Sequence, residues 1–246
     1  MVALKTVYGG LIAQANESLI RHLNLYKKRY FWCFNQPIFR MSITIILLII
    51  TVGISYYALQ NPAFLDKLLL NPVKITKGNQ YYRFVTSGFV HADFGHLFFN
   101  MFSLFFVGEA VERALTGIFG PSGAFYYLAL YILGIVVSDI PSFLKNRNNN
   151  QYNSLGASGG VSAVMFAFVL LAPLQEICLY GFICMPGFIF GGLYVAYSFY
   201  ESRRGVGYVN HDAHLYGALF GLLFMAVLLP NSIPNFIAQI ATYRLF

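Results

Sequence analysis

Four polar side chains stand where everything around them is apolar: His96 and Asn100 inside Phe94 to Val111, Ser158 at the head of Leu155 to Pro173, and His214 at the head of Ala213 to Leu229. A hydroxyl beside an imidazole makes a nucleophile and its general base, and two further donors provide for an oxyanion. The set is that of acyl-transfer chemistry. His96 and Asn100 are four residues apart and share one helix face. Each residue also has a structural reading. A serine in an apolar helix usually bonds to its own backbone or to a neighbouring helix, and a histidine at a helix end is usually an interfacial or capping residue, as expected for His22, His91 and His211. The glycines favour the chemical reading. Gly156, Gly159 and Gly160 open the backbone around Ser158, and Gly217 and Gly221 follow His214 as a stripe of small residues. Gly159, Ala163 and Ala167 make a matching stripe, and packing the two together brings the hydroxyl toward the imidazole.

Gly156-Ala157-Ser158-Gly159-Gly160 also satisfies the Gly-x-Ser-x-Gly elbow of soluble α/β hydrolases. That motif needs a strand before it and an alternating α/β chain around it, whereas Lys145 to Ser154 is an Asn-rich loop. Asp212, two residues from His214, reads as an N-terminal cap of that helix rather than as a third catalytic member. The residues thus spell a Ser158–His214 dyad.

The elements that must position the dyad are membrane helices. Of 246 residues, 58% are apolar and 10% charged, against about 25% charged in an average soluble protein. Disorder and a small disulfide scaffold are excluded; Cys33, Cys178 and Cys184 offer no framework of thiols and are expected to fill apolar space. Neither a metal nor a cofactor is implied. The net charge of +7 is spread between apolar runs, which suits phospholipid headgroups rather than nucleic acid.

A helix spans the hydrocarbon core with about 20 residues, and six runs qualify: Met41 to Leu59, Phe94 to Val111, Phe119 to Val137 (ended by Asp139 and Pro141), Leu155 to Pro173, Ile177 to Phe199, and Ala213 to Leu229. The fifth contains Pro186, Gly187 and two adjacent glycines, which predicts a kinked or mobile helix. The fold class expected is an all-α, polytopic six-helix membrane bundle. Spans two, four and six run in one direction, so parity alone brings the heads of all three, and with them the four polar residues, to one level.

Three regions follow: residues 1–40 as an amphipathic segment on the cytoplasmic membrane face, 41–230 as the bundle, and 231–246 as a short tail. With both termini inside, Lys and Arg divide eight to eight across the membrane; the cluster of four from Lys27 to Arg40 favours an inner N-terminus.

The chain resembles the rhomboid intramembrane serine proteases in their basic six-helix form. The family's His-x-x-x-Asn matches His96 to Asn100, with His91 where relatives often carry an additional histidine. Its Gly-x-Ser-Gly matches Gly156 to Gly159, its His-x-x-Gly-x-x-x-Gly matches His214 to Gly221, and its first-loop Trp-Arg is represented by Tyr82-Arg83. The match covers roughly residues 41 to 230. By resemblance Ser158 is the nucleophile and His214 the general base, while His96, Asn100 and the backbone N–H of Ser158 form the oxyanion hole. Arg83, Gly156, Gly159, Gly217 and Gly221 support them, and span five with Glu201 to Asn210 gates access. The substrates implied are transmembrane proteins cut where their helices are weak, and the location implied is a bacterial cytoplasmic membrane. Two departures stand out. Many relatives place an aromatic ring four residues after the serine, stacked on the imidazole, where this chain has Ser162; and the glycine expected four residues after Gly108-x-x-x-Glu112 is displaced to Gly117.

Two other readings compete. A catalytically inactive rhomboid-like protein that binds membrane clients is disfavoured by the presence of both Ser158 and His214. A transporter is disfavoured by the lack of inverted repeats and by polar residues gathered near one face.

Overall fold

The structure, a computed structural model, describes residues 42–179, 183–204 and 210–244. The segment 1–40, with His22 and Cys33, therefore lies outside the described residues, as does part of the loop 201–210.

Helix α1 (Ile43–Gln60) begins at Ser42, whose hydroxyl accepts from the Ile45 N–H. Two short helices, α2 (Pro62–Leu68) and α3 (Pro72–Gly78), each start with Asn as cap and Pro in the first turn. A single turn, α4 (Arg83–Thr86), leads to α5 (Phe94–Ser103), which continues through a π-turn at Leu104–Gly108 into α6 (Glu109–Phe119). Then come α7 (Ser122–Lys145), α8 (Ser158–Leu171), a two-stranded hairpin of β1 (Glu176–Leu179) and β2 (Ile183–Pro186), α9 (Gly187–Arg204), α10 (His211–Leu228) and α11 (Ser232–Ala241).

Among the described residues, four helices are long and apolar enough to cross a membrane: α1, the continuous α5–α6 segment, α7 and α10. With α8 and α9 between them they form a polytopic all-α membrane bundle. Helix α8 is its axis. Every residue from Gly159 to Leu171 is buried, as expected of a helix apolar all round. The neighbours come close because glycine lets them. A Cβ on Gly217 would meet the Gly159 carbonyl oxygen at 2.3 Å, and one on Gly221 would meet that of Ala163 at 2.2 Å. On the other side, a Cβ on Gly134 of α7 would lie 2.7 Å from that of Ala163. The small-residue stripes of α8 and α10 thus meet as their spacing predicts.

Several boundaries differ from expectation. Helix α7 passes through both Asp139 and Pro141. The Asp139 carboxylate is buried and accepts a hydrogen bond from Ser87 Oγ at 3.2 Å, and Pro141 forfeits one backbone bond about a turn before the helix ends. The fifth run is not one kinked helix. Its first part is the hairpin, and α9 starts only at Gly187, after Pro186. Cys178 and Cys184 stand directly opposite each other across that hairpin and form a disulfide, so the expectation that they only fill space is corrected. A spacing of six inside a run read as helix conceals a cross-strand pair. The cap of α10 is Asn210, whose Oδ1 accepts from the Ala213 N–H at 3.1 Å. Asp212 instead lies in the first helical turn and accepts from Ser202 Oγ.

Candidate active site

Ser158 is the first residue of α8, so the backbone N–H groups at its start have no acceptor within the helix. The loop leading into it is pinned at three residues. Leu70 and Ser154 exchange backbone bonds at 2.9 and 3.0 Å, the Gly156 N–H donates to Ser87 O at 2.9 Å, and the Ala157 N–H donates to His91 Nε2 at 3.2 Å. Gly156 has φ +120°, and a Cβ there would sit 2.6 Å from His96 Cε1. Glycine is therefore required twice over, by conformation and by the imidazole packed on it.

His91 is part of the site rather than the interfacial or capping residue that its place in the sequence suggests. It is fully buried. Its Nε2 accepts from Ala157, so its proton is on Nδ1 and goes to Ser55 Oγ at 2.8 Å, whose own proton goes to Phe89 O at 2.9 Å. Burial, reinforced by the neighbouring His96 and opposed by Asp93, pushes its pKa down to about 3. The His96 ring meets that of His91 edge to face at 5.0 Å. Further along α5, whose first turn Asp93 caps through the His96 N–H at 2.7 Å, Asn100 is buried and gives one amide proton to His96 O at 2.9 Å.

His214 lies in the first turn of α10, three residues before the Gly217 contact with Gly159, and interacts electrostatically with both His211 and His96. Among the described residues no hydrogen bond joins its ring to Ser158 Oγ; such bonds often tighten only when substrate is bound. Asn210 fixes the start of this helix to the pinned loop. Besides capping α10, its Nδ2 donates to Ser154 Oγ at 3.1 Å and Tyr152 Oη at 3.3 Å, while its Oδ1 accepts from Ser142 Oγ at 3.1 Å.

The ring that stacks on His214 comes from α9. Tyr194 lies nearly parallel to the imidazole, 20° between planes and 6.1 Å between centroids, and its hydroxyl bonds Ser162 Oγ at 2.5 Å. Ser162 is thus linked to the histidine through Tyr194. His211 approaches the imidazole edge to face at 5.6 Å.

Arg83 is buried in the first loop. It donates from Nη1 to Asp66 O and Leu69 O at 2.8 and 2.7 Å and from Nε to Gln80 Oε1 at 2.7 Å, holding the first loop together. Glu112 of α6 holds the other end of the bundle, accepting from the Ile43 and Thr44 N–H groups at 2.7 and 2.8 Å.

A family description, Rhomboid domain, matches residues 78–231. RHOMBOID-like protein 12, mitochondrial, of Arabidopsis thaliana is 27% identical over 157 residues, which cover 58% of this chain and 45% of that protein. Rhomboid-like protein 11, chloroplastic, of the same plant is 30% identical over 168 residues, 60% of this chain and 52% of the relative. The presenilin-associated rhomboid-like protein, mitochondrial, of Homo sapiens is 27% identical over 175 residues, 69% and 40% respectively. The chain spans about half the length of these relatives or less. With a bundle built around α8 and a family match that takes in every residue from His91 to His214, the chain belongs to the rhomboid family.

Proposed function

We propose that this protein is an intramembrane serine endopeptidase that hydrolyses peptide bonds in or near transmembrane segments of other membrane proteins. The observation that carries the reading is the backbone contact between Gly217 and Gly159, which sets the first turn of α10, with His214, against the head of α8, with Ser158. In this reading Ser158 Oγ attacks the scissile carbonyl carbon and gives its proton to His214. The oxyanion is met by the Ser158 backbone N–H, His96 and the free amide hydrogen of Asn100. His214 then protonates the leaving amine, and water, deprotonated by the same imidazole, releases the acyl group from Ser158. No metal or cofactor takes part.

Helices α8 and α9 complete six crossings. Substrates are transmembrane segments with Gly, Pro or other weak helix formers near one end, because a helical peptide bond must unwind before its carbonyl is exposed. Among membranes, the mitochondrial and chloroplastic relatives favour an organelle over a bacterial cytoplasmic membrane. The test is turnover of a transmembrane peptide carrying such a segment, in detergent or vesicles. Wild type is expected to cleave it and Ser158→Ala and His214→Ala are not; a folded wild type that binds the peptide without cutting it would instead make the protein a client-binding member of the family.

A further inference from the structure

We propose that Tyr194 of α9 is the positioning residue for the His214 imidazole, with its hydroxyl latched to Ser162 of α8; the proposal rests on the dyad reading above. The ring planes of Tyr194 and His214 are 20° apart, an offset-stacked arrangement that aromatic pairs favour. The Tyr194 ring is itself held in place, with Phe166 of α8 at 5.5 Å, Phe190 one turn earlier at 5.9 Å and the Ser162 hydroxyl at its far end. Gly191 makes this reach available. A Cβ there would lie 3.3 Å from Val169 Cγ1, so α9 sits against α8 one turn before Tyr194. The geometry has two chemical consequences. Stacking restricts rotation of the imidazole about its bond to Cβ, so the ring is presented in one orientation. The ring face also attracts the positive charge that His214 acquires when it takes the Ser158 proton.

The small Ser162 hydroxyl is the acceptor or donor for the ring supplied by α9.

The test uses the full chain in detergent. Three quantities are read on each preparation: kcat and KM on a transmembrane peptide, the pH dependence of fluorophosphonate labelling at Ser158, and thermal unfolding. Tyr194→Leu, which removes the ring, is expected to lower kcat about 10²-fold with little change in KM, the size of loss that misplacing a catalytic group by about 1 Å produces, and to shift the pH dependence of labelling. Tyr194→Phe keeps the ring and loses only the latch, so it should recover most of that loss. Ser162→Ala breaks the same bond from the other side and should match it, with the double variant no worse than either single one. Wild-type kcat and pH dependence in Tyr194→Leu, or equal impairment of the Leu and Phe variants, overturns the proposal. If Tyr194→Leu does not fold, the Ser162→Ala and Tyr194→Phe cycle decides: additive losses, or none, overturn it. A wild type that neither cleaves nor labels fells the protease reading and this proposal with it, whereas an active wild type with an unaffected Tyr194→Leu fells the proposal alone.

Discussion

His91 Nε2 accepts the backbone N–H of Ala157 at 3.2 Å, so a side chain from the loop before α5 holds the peptide immediately ahead of Ser158. The bond exists only while that nitrogen is unprotonated.

Acid should therefore loosen the site. In the unfolded chain His91 titrates near 6.5, and in the folded protein burial, then His96, push it down to about 3. The unfolded state thus binds the extra proton over the window between them, and stability is lost as pH falls through it. Between pH 7 and 5 this one residue accounts for about 2 kcal/mol. His91→Gln should be less stable than wild type at pH 7 but should lose less on going to pH 5. Equal acid sensitivity of the two, measured by thermal unfolding at both pH values, would contradict the assignment.

Gly217→Ala places a methyl group 2.3 Å from a backbone oxygen that cannot rotate away. The helices must separate, at about 1–3 kcal/mol, and His214 moves with α10, so kcat should fall as well. Gly192 has nothing within 4 Å of a Cβ. Gly192→Ala should leave turnover unchanged and stability equal or slightly higher by about 0.5–1 kcal/mol. Unfolding temperature and kcat of the two variants, compared side by side, check the contrast.

Arg83→Lys should destabilise without touching catalysis. One ammonium cannot serve two carbonyls and the Gln80 amide together, and a buried acceptor left bare costs about 1–3 kcal/mol. Denaturation should shift while kcat of the folded fraction stays at the wild-type value.

What the chain revealed in advance was whatever its spacing encodes. The Gly217–Gly159 approach was legible because small residues recur at intervals of four on two runs, and His96 and Asn100 because they interrupt a run of phenylalanines. Asp139 and Pro141 misled, since a carboxylate and a proline ordinarily end a span; Ser87, 52 residues away, is what lets the helix continue. The Cys178–Cys184 pair was hidden by apolar residues that suit a helix as well as a hairpin. Tyr194 gave no signal at all: one tyrosine among several on an aromatic run acquires its role only from the neighbours that folding supplies. Asn210 caps α10 where Asp212 was the expectation, because both residue types cap well and a shift of two residues decides between them.

Asn100→Ala separates charge stabilisation from the dyad. Asn100 already gives one amide proton to His96 O, leaving the other for an oxyanion that exists only in the tetrahedral intermediate. Removing one such donor should lower kcat about 10²- to 10³-fold with less effect on KM, while fluorophosphonate still labels Ser158 to some degree. A destabilised protein with normal turnover would reduce Asn100 to a structural tie within α5.

The most direct measurement is the site of fluorophosphonate attachment on the protein folded in detergent, located by mass spectrometry, with peptide turnover followed on the same preparation in the presence of EDTA. A single adduct is expected at Ser158, absent from Ser158→Ala and strongly reduced in His214→Ala, with turnover that ignores the chelator. A folded wild type that takes no label at Ser158, turnover surviving in Ser158→Ala, or activity lost to EDTA would contradict a serine protease built on this dyad.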